Sequence, residues 1–210
     1  MQVQAIVFDF DGVIIDSTSV KTEAFVDTYD DCSPEVREYV RRYHEENQGC
    51  PRRQKIEHFA SYLGENLQGD VDRRIDRFAD LVFSKVKACC LFDGAVEALQ
   101  ELQVNRRLFV ASATPHEELS ETLDLKGLTP FFESAWGFPL RKAEAIQMVR
   151  ERHHLETDEV VMIGDSAADH GAAMEAGVPF IGVSFDGTPH PFPESLPVVE
   201  SFSGLLERLR

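Results

Sequence analysis

Residues 6–16 read IVFDFDGVIID. Three apolar residues run straight into Asp9, and a second acid, Asp11, follows two positions later. Ile, Val and Phe side by side, with no polar alternation, mark a strand buried on both faces, as in a parallel sheet. A carboxylate at the end of such a strand lies near low-dielectric surroundings, where its charge is costly unless something compensates it. Gly12 suits a tight exit from the strand, because glycine enters left-handed backbone conformations without steric cost. Fold and chemistry both turn on what compensates Asp9 and Asp11.

The same kind of run recurs along the chain. RRLFVASA at 106–113, VVMIGD at 160–165 and PFIGVSF at 179–185 are further strand candidates, with a shorter one at SAWGF, 134–138. Helix-like stretches separate them, and strands alternating with helices of this length indicate βαβ units and a parallel sheet. Local punctuation agrees. Thr114 as cap, Pro115 in the first turn and Glu117 as capping-box partner predict a helix start. Lys126 and Gly127 suit its end, and Gly177 followed by Pro179 closes the helix after GDSAAD. FSGLLERLR at 202–210 predicts a terminal helix, and the proline-rich segment 186–197 an irregular loop.

Residues 17–88 differ, with much helical spacing and no strand-like run. Ser33 and Pro34 open one predicted helix, and Val71, Ile75, Phe78, Leu81, Val82 and Val86 share one face of another. The expected fold class is therefore α/β. A Rossmann-like parallel sheet with helices on both faces is built from 1–16 and 89–210. A helical insert, 17–88, follows the first strand.

A chain of 210 residues suits one large domain, or a core with a small insert, and buries a full core without staples. The net charge of −16 disfavours nucleic acid and anionic membranes as partners. The charge is uneven: residues 17–88 hold 12 Lys and Arg against 14 Asp and Glu, and the remainder 9 against 23. Either an anionic substrate meets the insert, or its basic residues are a solvated helical surface. Cys32, Cys50, Cys89 and Cys90 show no metal-ligand spacing and read as reduced thiols of a cytoplasmic protein. No signal peptide is expected, since only five residues precede the first apolar run. No apolar run approaches the roughly 20 residues that span a bilayer.

In open parallel sheets, ligands bind outside the carboxyl ends of the strands. Asp9, Asp11, Ser112 and Asp165 all fall at strand ends, with Asp169 one helical turn beyond Asp165. Carboxylates gathered there fit Mg2+, which prefers oxygen ligands and is often held by one or two carboxylates with water and a substrate phosphate. The cation offsets repulsion between Asp9 and Asp165 and keeps them ionised. An aspartate can attack phosphorus to give an aspartyl-phosphate. A second acid can hand a proton to the leaving oxygen and then activate water.

DFDGV at 9–13, ASAT with Ser112, Lys142, and GDSAAD at 164–169 resemble, in this order, the four motifs of the haloacid dehalogenase-like hydrolases. The resemblance spans nearly the whole chain. It implies Asp9 as nucleophile and metal ligand, and Asp11 as general acid/base with its main-chain carbonyl as a second ligand. Ser112 and the backbone N–H of Ala113 would hold phosphate oxygens. Lys142 would neutralise the phosphoryl group and Asp9, and Asp165 would bind Mg2+ with Asp169 close behind. Ala113 stands where many members carry Asn, and Ala143 where many carry Pro. Arg141 competes with Lys142 for the third motif; Ile146, on the same helical face as in relatives, favours Lys142.

The insert looks like the family's small helical cap, and its GCPR stretch, Gly49 to Arg52, resembles a substrate-reading cap loop. Arg52 either reads a substrate hydroxyl, carboxylate or second phosphate, or is a surface arginine. Lys21 and Asp16 stay similarly open. The resemblance implies a Mg2+-dependent phosphatase of the capped phosphoglycolate phosphatase and β-phosphoglucomutase-like subgroup. Its substrate is a small phosphorylated metabolite, and the protein a monomer or homodimer. A phosphomutase on the same scaffold is the alternative, and a non-catalytic binding member a third. Dehalogenase chemistry is disfavoured, because those relatives lack the second acid and Asp11 is present.

Overall fold

A computed structural model describes residues 3–187 and 190–210. Met1, Gln2 and two residues of the proline-rich loop, Thr188 and Pro189, lie outside the described residues. In chain order the elements begin with β1 (Ala5–Phe8), α1 (Thr18–Thr28), α2 (Pro34–Glu46), α3 (Arg52–Leu63) and α4 (Leu67–Ala88). Next come α5 (Ala95–Leu102), β2 (Arg107–Pro115), α6 (His116–Leu125), β3 (Ser134–Phe138) and α7 (Lys142–His153). The last are β4 (Val160–Gly164), α8 (Ala167–Ala176), β5 (Phe180–Val183), β6 (Val198–Val199) and α9 (Phe202–Leu209).

The strands form one parallel sheet in the order β3-β2-β1-β4-β5-β6. β1 is central, and its four residues AIVF are all buried. That is why it reads as an unbroken apolar run: helices cover both faces, so neither face needs polar residues. Ala5, Val7, Phe109, Ala111, Val160 and Met162 pack on one face against Ile146 and Val149 of α7 and Ala172 and Ala173 of α8. Strand alternation turns Ile6, Phe8, Leu108, Val110, Val161 and Ile163 to the other face, and these too are buried. The chain builds β2 and β3 on one side of β1, then crosses to build β4, β5 and β6 on the other. The switch point therefore falls between the carboxyl ends of β1 and β4, where open α/β sheets take their ligands.

The chain divides into two compact units. One runs up to Asp16 and resumes at Cys90; the other is Ser17–Cys89. The two chain crossings lie side by side: Asp16 N–H donates to the Cys90 carbonyl at 3.0 Å, and Phe92 N–H to that of Ile14 at 3.1 Å. The second unit comprises α1 to α4 around Phe25, Tyr29, Phe59 and Phe78. Its basic residues are largely consumed internally. Arg74 is 2% exposed and holds the Thr28 carbonyl, Asp31 and Glu65. Arg41 pairs with Glu23, Arg53 with Asp72, and Arg77 with Asp30. Ion pairing within the unit thus accounts for its even charge. Of the shared face expected on α4, Val71, Phe78, Val82 and Val86 are buried, while Ile75 and Leu81 are half-buried.

One local expectation is corrected. Thr114 does not cap α6. β2 continues through Thr114 to Pro115, which takes the N-cap position, and the helix begins at His116. Pro115 has a φ of −51° and ψ of 140°, an extended conformation that its ring favours. The threonine hydroxyl is used elsewhere. Ser33 does sit at the N-cap of α2, but its side chain makes no hydrogen bond to the helix backbone. α5 and the two-residue β6 had no expectation attached to them.

Candidate active site

The site is built where β1, β2 and β4 end and α7 and α8 begin. Asp9 follows β1, is 3% exposed, and its N–H extends the ladder to the Ile163 carbonyl at 2.8 Å. Beyond it the chain folds back tightly. Gly12 adopts φ 78°, its N–H donates to the Ile15 carbonyl at 2.9 Å, and Ile14 N–H donates to the Phe10 carbonyl at 2.9 Å. The φ value explains the glycine, since a side chain is rarely tolerated there.

Lys142 is the first residue of α7, and its side chain is 8% exposed. Nζ lies 2.9 Å from Asp9 Oδ1 and donates to Asp169 Oδ1 at 2.6 Å. Arg141, one residue earlier, pairs with Glu175 and Glu144 with 59% of its side chain exposed. It takes no part in the cluster. Register decides this: a step of one residue at a helix start turns the side chain by about 100°, since a turn holds 3.6 residues.

Asp169 is fully buried at the third position of α8. Its Oδ2 accepts from Ser166 N–H at 3.1 Å and from the Ser166 hydroxyl at 2.5 Å, closing a capping box at the helix start. A carboxylate there also meets the positive end of the helix dipole. Gly164 ends β4, and a Cβ on it would overlap the Asp169 side chain. The glycine therefore makes room for the acid. One oxygen each of Asp9, Asp165 and Asp169 lie within 4.8 Å of one another.

Asp11 faces β2. The Thr114 hydroxyl donates to its Oδ2 at 2.8 Å, and the Ser112 hydroxyl approaches the same oxygen at 3.4 Å. Thr114 N–H donates to Ser112 Oγ at 3.1 Å. Ser112 is 2% exposed, and Ala113 lies half-buried between the two hydroxyl residues.

Electrostatics follows from the crowding. Burial pushes the Asp9 carboxyl up to about 7; Lys142 opposes this, while the charges of Asp169 and Asp11 add to it. Asp165 is likewise raised well above the usual carboxylate range, by burial first and then by Asp9 and Asp169. Burial would lower Lys142, but Asp169 and Asp9 more than reverse it, so the ammonium persists through the physiological range. One lysine does not balance this set of acids. Hard oxygen donors, close-set and short of positive charge, fit a hard divalent cation, which would restore the ionised state of Asp9 and Asp165.

The structure thus brings Asp9, Asp11, Ser112, Ala113, Lys142, Asp165 and Asp169 to one end of the sheet. Arg52 belongs to the other unit, where its guanidinium lies 5.0 Å from the centre of the Phe78 ring. Asp16 is exposed. Two participants were not anticipated: Thr114, masked by a helix-start signature, and Ser166, which the spacing S-x-x-D to Asp169 announces as a capping box.

A parallel sheet with its switch point at β1 and β4, carrying acids and a buried lysine there, defines a doubly wound α/β protein with a polar site at its switch point. Residues 6–183 match the model of the haloacid dehalogenase-like hydrolase family, and the chain belongs to that family. It is 29% identical to a phosphoglycolate phosphatase of Vibrio parahaemolyticus, over 98% of this chain and 95% of that one. It is 26% identical to a phosphorylated carbohydrates phosphatase of Thermotoga maritima, over 83% and 82%. A haloacid dehalogenase-like family hydrolase from Streptococcus pneumoniae has the same fold, with a TM-score of 0.76 at 17% identity and 99% of each chain covered. Among the described residues no helix is long and apolar enough to cross a membrane.

Proposed function

We propose that the chain is a Mg2+-dependent phosphomonoesterase acting on a small phosphorylated metabolite through an aspartyl-phosphate. The observation that carries this reading is the buried Lys142 ammonium bridging Asp9 and Asp169, with the Asp165 carboxylate beside them. The relatives' names, phosphoglycolate and phosphorylated carbohydrates phosphatases, support an alkyl phosphate of modest size.

Asp9, Asp165 and the main-chain carbonyl of Asp11 would hold the cation, with Asp169 beside them. When bound, Mg2+ supplies positive charge that keeps the carboxylates ionised and offsets charge on the phosphoryl oxygens. Asp9 attacks phosphorus. Lys142 stays protonated and neutralises the attacking carboxylate and the phosphoryl group, while Asp169 fixes the ammonium. Ser112 and the N–H of Ala113 orient phosphoryl oxygens. Asp11 protonates the leaving oxygen as the P–O bond breaks. It then takes a proton from the water that attacks the aspartyl-phosphate, which releases phosphate and restores Asp9. The helical unit corresponds to the cap that the resemblance implies.

The test is phosphate release from p-nitrophenyl phosphate with Mg2+, with and without EDTA, followed by a panel including phosphoglycolate and hexose phosphates. Chelation should abolish turnover, and Asp9→Asn should lower kcat by at least about 10³-fold, as loss of a covalent nucleophile does. Full activity in Asp9→Asn would remove the nucleophile assignment, and undiminished activity in EDTA the cation's role.

A further inference from the structure

We infer that Thr114 is a positioning residue for Asp11, fixing that carboxyl group so that the oxygen other than Oδ2 delivers the proton to the leaving group. The inference rests on the phosphomonoesterase reading above. Three observations carry it. First, the Thr114 hydroxyl makes the shorter of the two bonds to Oδ2, 2.8 Å against 3.4 Å from Ser112. The single Ser112 hydroxyl proton goes to a phosphoryl oxygen once substrate is bound, so Thr114 is the donor that keeps Oδ2 and directs the acid's own proton to the other oxygen. Second, Ser112 Oγ is itself held by Thr114 N–H at 3.1 Å, so both contacts to Asp11 depend on where residue 114 sits. Third, that place is built into the sheet. Ala111 pairs with Trp136 and Pro115 with Phe138, so the end of β2 spends four steps where β3 spends two. Such a bulge re-aims side chains. Gly137 lies between those two partners, and a Cβ on it would overlap the Thr114 carbonyl and the His116 backbone. The close approach of β3 clamps the bulge.

The proton in question moves from the Asp11 carboxyl to the leaving oxygen. At the same time an Asp9 oxygen bonds to phosphorus and the phosphorus–leaving-oxygen bond breaks. Misplacing Asp11 should therefore matter in proportion to the basicity of the leaving oxygen. A weakly basic aryloxide departs without help, and a strongly basic one does not. The measurement is kcat/KM for a series of ring-substituted phenyl phosphates, p-nitrophenyl to unsubstituted phenyl, with Mg2+. This ratio reports the steps through leaving-group departure and is blind to the later hydrolysis of the aspartyl-phosphate.

In Thr114→Val, which keeps shape and removes the hydroxyl, kcat/KM for phenyl phosphate should fall at least about tenfold more than for p-nitrophenyl phosphate, within the range of general-acid contributions. Thr114→Ser should restore the wild-type dependence. Comparing two substrates within one preparation cancels the fraction of folded enzyme, and Thr114→Ala read the same way guards against poor folding of the valine variant. An equal fall on all substrates, or no fall on any, overturns the inference while leaving the phosphatase reading intact. Wild-type protein that releases no phosphate from any of them overturns both.

Discussion

Asp165 shows how a single charge can serve function at the expense of stability. Its pKa in the folded chain is raised by burial and by Asp9 and Asp169. A raised carboxyl stabilises the fold only while protonated. That contribution is present below the ordinary carboxylate pKa and is lost as pH rises through the folded value. At neutral pH, then, the cation-free fold must either hold a proton on Asp165 that the unfolded chain has lost or bury its charge, and either way stability is lost relative to acid pH. Asp165→Asn keeps the shape without the charge. It should raise the cation-free Tm of the sheet unit by roughly 4 °C, about 1 kcal/mol in a unit of that size. Mg2+ should raise the wild-type Tm, more at pH 8 than at pH 5 where protons compete, and should leave the variant unmoved. Scanning calorimetry decides: a lower cation-free Tm in the variant, with the Mg2+ increment intact, would contradict the assignment. The sequence made Asp165 visible because an apolar run ended on it. Thr114 was hidden because T-P-x-E is also a sound helix start. Only the pairing of β2 with β3, which is non-local, decides between the two.

Elements were legible wherever their pattern was local. β1, β3 and the glycine-terminated α8 follow from apolar runs and stop signals. α5 is as long as α9 and its Ala95, Ala98, Leu99 and Leu102 recur at helical spacing, so that helix too is legible in the sequence, whereas β6, two residues, is too short to carry a period of its own. The charge balance of the helical unit was ambiguous for a related reason. That Arg74 staples α4 to Asp31 and Glu65 depends on tertiary packing, which spacing along α4 does not report. What holds an element together can nevertheless be separated from what holds the site. α8 contains one glycine with open space, Gly171, and follows another, Gly164, pressed against Asp169. Gly171→Ala should stabilise by about 0.5–1 kcal/mol, since the helix favours alanine and nothing is in its way. Gly164→Ala should destabilise by about 1–3 kcal/mol through overpacking. By moving Asp169 off Lys142 it should also cut kcat at least about tenfold, a misplacement penalty. Urea melts beside steady-state kinetics test the pair; unchanged kcat in Gly164→Ala would show that Asp169 does not position the lysine.

At the scale of the whole molecule the two units carry buried groups that respond to acid in opposite directions. In the helical unit His44 is 4% exposed, packs against Phe25 with the rings tilted by 35°, and accepts from Lys55 Nζ at 3.0 Å through Nδ1. Burial, then the charges of Lys55 and Lys21, lowers its pKa to about 2. A depressed histidine contributes stability above its unfolded pKa near 6.5, and that stability is lost as pH falls, because only the unfolded chain takes up the proton. The slope is about 1.4 kcal/mol per pH unit, so between pH 6.5 and 5 this unit should lose about 2 kcal/mol. The sheet unit moves the other way. Without a cation, Asp9 and Asp165 hold protons more tightly folded than unfolded, so lowering the pH toward 5 relieves buried charge there. Calorimetry in EDTA should therefore resolve two transitions that separate as pH falls from 7 to 5, the helical unit melting earlier and the sheet unit later. His44→Gln should flatten the acid dependence of the first transition and leave the second alone. Mg2+ should raise the second and leave the first alone, because every acid of the cluster belongs to the sheet unit. One merged transition, displaced as a whole by either perturbation, would mean that the units do not unfold independently.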